Sequence, residues 1–204
     1  MITYRWYRNA LSKGTCDLFR TIGENKILKE AKTRQGISKT RKSSVAFFSN
    51  VETKIVQDNI MPYINECNAT VRWNFKLDFL ENAQFTVYHS YKGGNQYYGW
   101  HKDWCCRDCS RDEDGNEPDI KGPRKISCSI LLSSPDEYEG GELKIVNGDI
   151  SRLEDGVLLK SDDANIKNKG DMVILRSDAF HRVAPVTKGV RKSLVLWFSG
   201  PEFT

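Results

Sequence analysis

The sequence lacks any long apolar run. No stretch approaches the ~20 apolar residues that a bilayer-spanning helix needs. The first fourteen residues, MITYRWYRNALSKG, hold no apolar segment of signal-peptide length. The expectation is a cytoplasmic chain with no membrane partner. Charge bias is also missing: 31 basic residues stand against 27 acidic ones, a net charge of +4. That is far from the balance of a dedicated nucleic-acid binder, so no nucleic-acid partner is expected. The short basic cluster at Arg41 and Lys42, inside KTRKSS, reads as solvated surface. Neither an internal repeat nor a low-complexity tract is present, and 204 residues fit one domain able to bury a real core. Histidine is scarce, with 3 in the chain.

Six cysteines accompany this composition, and reduced thiols are the expectation without export. The run WCCRDC offers Cys105, Cys106 and Cys109 as thiolate donors. No second CxxC or histidine pair at zinc-finger spacing accompanies them, so they read as loop cysteines rather than a zinc site. The acidic run DEDGNEPD that follows is no complete EF-hand loop and reads as solvated.

Hydrophobic periodicity divides the chain in two. Ser49 and Glu52 form a capping-box pattern. Val56, Ile60, Tyr63, Ile64 and Cys67 then recur at helical spacing and predict one buried helix face, with a kink or break expected at Pro62. From about residue 71 the period becomes two. Candidate strands are VRWNFKLDF, QFTVYHSY, YYGWHKDW, ISCSILLS, ELKIVN, GVLLK, DMVILR, HRVAPV and KSLVLWF, separated by turn residues such as GG, NGD, EDG and KGD. Gly140 and Gly141 read as a hairpin turn. Helices do not alternate with these strands, which argues against a parallel α/β sheet and for an antiparallel double-sheet jelly roll. The expected fold is therefore mainly β, a double-stranded β-helix with N-terminal helices packed on it. Residues 1–70 would form a partly helical support and 71–204 the catalytic domain, in one structural unit.

Within GWHKDW, alternation would put His101 and Asp103 on one strand face, imidazole beside carboxylate. Alone this is a weak signal. His181, ending GDMVILRSDAFHRV, completes two imidazoles and one carboxylate, a facial triad that leaves three positions of an octahedral iron(II) open. Arg191 follows ten residues later, and its guanidinium can fork onto a carboxylate in a way lysine does not copy. His89, within VYHSY, has no partner acid and reads as structural or as lining the cavity mouth. Ser127 and Ser129 share a strand face. Tyr98, Trp100 and Trp104 flank the metal motif, either as packing or as walls of a substrate channel.

The order HxD, YEGGEL, GD and FHRVAPVTKGVR before a strand ending in Trp resembles the iron(II)/2-oxoglutarate dioxygenases, in particular the prolyl 4-hydroxylase-like branch with the PKHD-type hydroxylases. The resemblance spans about residues 70 to 199. It implies iron on His101, Asp103 and His181, and the distal carboxylate of 2-oxoglutarate on Arg191. It also implies dioxygen as co-substrate and admits ascorbate as an auxiliary reductant. Gln84 and Tyr88 in QFTVY match the family's Gln-x-x-x-Tyr strand, which implies that the Tyr88 phenol reaches 2-oxoglutarate. The insertion HSYKGGNQ is longer than usual and leaves Tyr91 as the alternative, since 88 and 91 face opposite ways on a continued strand.

The implied reaction converts 2-oxoglutarate to succinate and CO2 and hydroxylates an unactivated carbon, with a prolyl residue of a peptide or protein as the expected substrate. A small molecule or free amino acid is the runner-up, and a non-catalytic cupin-like metal module is the alternative from another class; that last has no need of Arg191. Asp103 argues against halogenation, which in this fold needs a small residue there. Trp197 stands where AlkB-type nucleic-acid demethylases carry a second arginine.

Overall fold

The structure is a computed structural model, and it describes residues 2–31, 40–91, 94–104, 122–146, 161–163 and 166–201. In chain order the elements begin with β1 (Tyr4–Tyr7), α1 (Lys13–Glu24), β2 (Lys29–Glu30), β3 (Arg41–Lys42), β4 (Ser44–Phe47) and α2 (Asn50–Thr70). There follow β5 (Phe79–Leu80), β6 (Gln84–His89), β7 (Tyr97–His101), β8 (Arg124–Leu131) and β9 (Tyr138–Gly140). The last are β10 (Leu143–Val146), β11 (Ser161–Asp163), β12 (Met172–Arg176), β13 (His181–Val183) and β14 (Val186–Ser199).

Every strand pairing is antiparallel. The larger sheet runs β1-β12-β8-β14-β6-β4-β2, with β5 and β9 also on β14; the smaller runs β11-β10-β13-β7-β3. This is the expected mainly-β jelly roll. Alternation sorts β6 and β14 cleanly. Phe85, Val87, Leu194, Leu196 and Phe198 join a core with Phe19 of α1 and Val56, Ile60 and Ile64 of α2. Gln84, Thr86 and Tyr88, with Arg191, Ser193, Val195 and Trp197, face a cavity between the sheets instead.

The helix α2 starts where its capping box predicts. The Glu52 amide donates to Ser49 Oγ at 3.3 Å and the Ser49 amide to Glu52 Oε2 at 2.6 Å. Thr53, Val56, Ile60, Ile64 and Cys67 are its buried face. Tyr63 is only half-buried and donates its hydroxyl to the Ala10 carbonyl at 2.6 Å. The helix runs through Pro62 without the expected break. Pro62 and Asp58, whose carbonyl loses its helical donor, are both exposed, so water can replace the missing bond.

VRWNFKLDF is not the strand its alternation suggests; only Phe79–Leu80 pairs, against β14. Arg72 and Asn74 take positive φ, 58° and 50°, which no strand accommodates. The Asn68 side chain fixes that path by accepting from the Phe75 amide at 3.0 Å and donating to its carbonyl at 2.9 Å. Gly140 and Gly141 do not close a hairpin either. Gly140 ends β9, which pairs with β14, whereas β10 pairs with β13, so the two glycines (φ 75° and 68°) carry the chain from one sheet to the other.

The first seventy residues are more than a helical support. β1 pairs β12, β4 pairs β6, and β3 pairs β7, so both sheets contain strands from this region. GVLLK, the cysteines at 105, 106 and 109, and the acidic run after them lie outside the described residues. Among the described residues Cys16, Cys67 and Cys128 are buried free thiols, and no helix is long and apolar enough to cross a membrane.

Candidate metal and co-substrate site

The adjacent strands β7 and β13 set His101 directly opposite His181. One register step away the pairing shifts, with Val183 opposite Tyr98, so β7 carries an extra residue at Gly99–Trp100. That bulge turns Tyr98 and His101 to the same face, and their rings stack at 3.4 Å between centroids. Asp103 reaches the site by a different route from the strand alternation expected of it. The strand ends at His101, and the segment beyond is tied back by the Trp104 amide, which donates to the Ser177 carbonyl at 2.6 Å. Asp103 thus lies two residues past the end of the strand, with its carboxylate between the two imidazoles.

His101 Nε2 lies 3.5 Å from Asp103 Oδ1, and His181 Nε2 lies 3.4 Å from Asp103 Oδ2. The three donor atoms fall within 4.8 Å of one another. Each imidazole Nδ1 sits against a backbone carbonyl, Gly99 at 2.8 Å and Ala179 at 3.0 Å. With Nδ1–H donating there, the neutral ring keeps its Nε2 lone pair for the site. Burial by itself would push the Asp103 carboxyl up, but His181 and His101 hold it well below the usual carboxylate range. Burial and the neighbouring His181 push His101 down, while Asp103 outweighs burial and raises His181. Two imidazole nitrogens and one carboxylate converging on one point suit an octahedral divalent cation with a vacant face, iron(II) among them.

Arg191 lies in β14 opposite Tyr88 of β6, and both side chains are buried, 2% and 3% exposed. Its Nη1 donates to Ser193 Oγ at 3.2 Å, and among the described residues its buried Nε has no partner; burial pushes the Tyr138 phenol up, against the pull of Arg191. No carboxylate pairs with Arg191 among the described residues. A buried, unneutralised guanidinium is costly unless an anion joins it. Burial pushes the Tyr88 phenol up, against the pull of Arg41 and Arg191. Both Arg191 and Tyr88 line the same cavity of about 810 Å³ as the triad. Tyr91 is 55% exposed beyond the end of β6, stacked on His89 at 5.4 Å, and does not line this cavity.

Ser127, Ser129, Tyr98, Trp100 and Trp104 also line it. Three contributors escaped sequence reasoning: Arg41, Tyr138 and Gly141. Gly141 carried a signal, as the second glycine of a pair, but it read as a turn. Asp171, the acid of the GD motif, turns out to be structural. Its buried carboxylate accepts from the amides of Asn9, Lys167 and Asn168, each at 2.9 Å, and so anchors the entry to β12.

The model of the 2OG-Fe(II) oxygenase superfamily matches residues 83–199. A PKHD-type hydroxylase from Xylella fastidiosa (strain M23) is 36% identical over 103 residues, 50% of this chain and 39% of the relative. One from Janthinobacterium sp. (strain Marseille) is 32% identical over 111 residues, 54% of this chain and 41% of the relative. The matched segment thus spans about two fifths of these curated relatives. In fold, the chain is similar to the viral collagen prolyl hydroxylase of Paramecium Bursaria Chlorella virus-1 (TM-score 0.65, 20% identity, 96% of this chain and 95% of that one). It is also similar to a Pseudomonas putida prolyl-4-hydroxylase (TM-score 0.64, 18% identity, 98% and 93%). A third is a Trichoplax adhaerens prolyl hydroxylase in complex with a hypoxia inducible factor peptide fragment (TM-score 0.68, 15% identity, 98% and 84%). With more than half of its residues matched by the family model and the His-Asp-His cluster inside that stretch, the chain belongs to the 2OG-Fe(II) oxygenase superfamily.

Proposed function

We propose that this protein hydroxylates prolyl residues of a peptide or protein substrate, with iron(II) on His101, Asp103 and His181 and 2-oxoglutarate on Arg191 and Tyr88. The observation that carries the reading is the pairing, in one cavity, of the three convergent donor atoms with a buried arginine that has no acid partner among the described residues. The PKHD-type relatives and the prolyl hydroxylases of the same fold support the substrate class.

When bound, iron(II) and 2-oxoglutarate supply the oxidising chemistry: dioxygen is consumed, succinate and CO2 are released, and one oxygen atom goes to the substrate carbon. The chain's own residues supply placement. The Nδ1 contacts to Gly99 and Ala179 orient the imidazoles and leave each Nε2 facing the site. Asp103 stays a carboxylate and offsets part of the cation's charge. Arg191 grips the far carboxylate through charge-assisted hydrogen bonds, and Tyr88 donates from the neighbouring strand. The apolar cavity walls, with Leu143, Leu175 and Val183 among them, keep water from the reacting groups.

In this reading the chain works as one structural unit, since residues 1–70 supply strands to both sheets. The free buried thiols support a reducing, cytoplasmic setting, and ascorbate is included as an auxiliary reductant. The test is succinate release from 2-oxoglutarate with iron(II) and a panel of proline-containing peptides, read alongside mass spectrometry of the peptides. Gain of one oxygen atom on proline is the expected result. Turnover confined to free amino acids or small metabolites overturns the peptide substrate but leaves the oxygenase reading intact.

A further inference from the structure

Charge accounting within the cavity leaves something over. Four cations line it: Arg41, Lys102, Arg124 and Arg191. Arg124 is neutralised by Glu81, with Nε to Oε1 at 2.6 Å and Nη2 to Oε2 at 2.5 Å. Asp103 is the single acid of the lining among the described residues and belongs to the metal seat. Arg191 and the metal are matched by the dianionic co-substrate in the function proposed above, on which this inference rests. Arg41 then remains, with Lys102 exposed at the rim.

Arg41 is held as a tool would be. Its Nε donates to Ser43 Oγ at 2.9 Å, its Nη2 donates to Gln84 Oε1 at 3.0 Å, and its guanidinium lies 4.5 Å from the centre of the Tyr98 ring. Ser43 and Gln84 are themselves buried, 2% and 6% exposed. Two neutral acceptors and a ring fix the plane; among the described residues Nη1 and part of Nη2 have no acceptor and no acid pairs with Arg41. A second donor lines the same cavity. Gln84 is opposite Val195 on β14, and Trp197 is the next cavity-facing position along that strand. Trp197 is 6% exposed, and its buried indole Nε1–H has no acceptor among the described residues. A fixed guanidinium and an orphaned N–H on the wall of one cavity call for an acceptor with several lone pairs. The exposed aromatic rings of Phe47, Trp100 and Trp104 line the same cavity and suit an extended, proline-containing segment.

We infer that Arg41 and the Trp197 indole form a subsite for a substrate carboxylate, so that the preferred target carries an acidic group next to the residue that is hydroxylated. The carboxylate comes from an aspartate or glutamate side chain, or from the end of a chain or a free amino acid. Arg41 acts on specificity, not on the chemical step.

The experiment uses blocked pentapeptides with a central proline, each made with Asp or Asn on either side of it. A matching set carries Ala in place of Pro, and one Asn peptide ends in a free carboxylate directly after the proline. Binding is read by quenching of tryptophan emission in protein loaded with Mn(II) and 2-oxoglutarate, and products are read with iron(II) by mass spectrometry. The wild-type protein should bind at least one Asp peptide about tenfold or more tightly than its Asn twin, the scale of a charge-assisted hydrogen bond. In Arg41→Gln that ratio should fall below about twofold, Arg41→Lys should restore part of it, and Trp197→Phe should lose part of it. The KM for 2-oxoglutarate should stay within about twofold in Arg41→Gln while the KM for the Asp peptide rises.

If the acid preference persists with Ala in place of Pro and no proline is oxidised, the subsite stands and the prolyl reading falls. Tight binding of the free-carboxylate peptide alone assigns the subsite to a terminal carboxylate. Equal binding of Asp and Asn peptides with no gain from the free terminus overturns the proposal, a result that needs no variant. So does an acid preference untouched by Arg41→Gln, or a co-substrate KM that rises with it, which would place Arg41 at the 2-oxoglutarate.

Discussion

Gly141 stands where any added Cβ would lie 2.7 Å from Arg191 Cδ and 2.9 Å from Val186 Cγ2. The missing side chain is the room into which the buried guanidinium extends, and its φ of 68° adds a backbone cost for any other residue. Gly141→Ala should therefore strike the co-substrate rather than the metal. The expected result is a rise of about tenfold or more in the 2-oxoglutarate KM, equivalent to ~1.4 kcal/mol, with iron content per chain unchanged. Metal loss comparable to that of a ligand variant would sink this account.

Arg191→Ala removes the guanidinium itself. Deleting one partner of a buried charged pair costs about 2–5 kcal/mol, so the KM for 2-oxoglutarate should rise by more than about thirtyfold. Iron(II) affinity in the absence of co-substrate should stay nearly the same. Arg191→Lys should recover only part of the loss, because an ammonium cannot fork onto a carboxylate. Steady-state kinetics beside a metal titration separates these outcomes.

Asp103→Ala should abolish hydroxylation and lower bound iron sharply, since the two imidazoles then share no anionic ligand. Metal analysis of the purified protein, together with succinate release, checks it. Hydroxylation at the wild-type rate would remove Asp103 from the metal seat.

Tyr88 and Tyr91 make opposite predictions. Tyr88→Phe keeps the buried ring but deletes a phenol beside Arg191, and should raise the 2-oxoglutarate KM by about threefold to tenfold. Tyr91→Phe alters an exposed residue off the cavity and should leave kinetics within about twofold. The reverse pattern would restore Tyr91 as the co-substrate tyrosine.

Helix α1 gives a test of packing. A Cβ on Gly23 would fall 2.3 Å from Cγ of the fully buried Phe85 ring, so the helix lies directly on the sheet at that point. Gly23→Ala gains helix propensity but must displace the ring, and the overpacking should win by about 1–3 kcal/mol. Urea unfolding should show the midpoint falling with little change in slope; a stabilised variant would mean that the ring moves aside freely.

Much of this architecture is legible in the sequence because period two and period 3.6 are local properties. The capping box at Ser49 and Glu52 and the antiparallel jelly roll rest on short-range spacing, whereas the order of His101, Asp103, His181 and Arg191 is legible through the family resemblance. The misreadings share a cause. VRWNFKLDF alternates, yet Asn68, on the preceding helix, fastens Phe75 in a path with left-handed residues. The pair Gly140–Gly141 has turn chemistry, but which sheets it joins is a matter of topology. The bulge at Gly99–Trp100 and the anchoring of Trp104 on Ser177, on either side of Asp103, leave no sequence signature. Arg41 is the extreme case. Nothing near position 41 connects it to Gln84 or Tyr98, and its surroundings exist only once two sheets have closed around it.

The short strands β3 and β4 have a consequence for any attempt to trim the protein. They are the covers on β7 and β6, the strands that bear His101 and Tyr88. Remove them and each sheet would end on a strand of the active centre, with a bare row of amides and carbonyls open to pairing with another molecule. A shortened version starting near residue 71 would then be sticky before it was inactive, and self-association would be its first symptom.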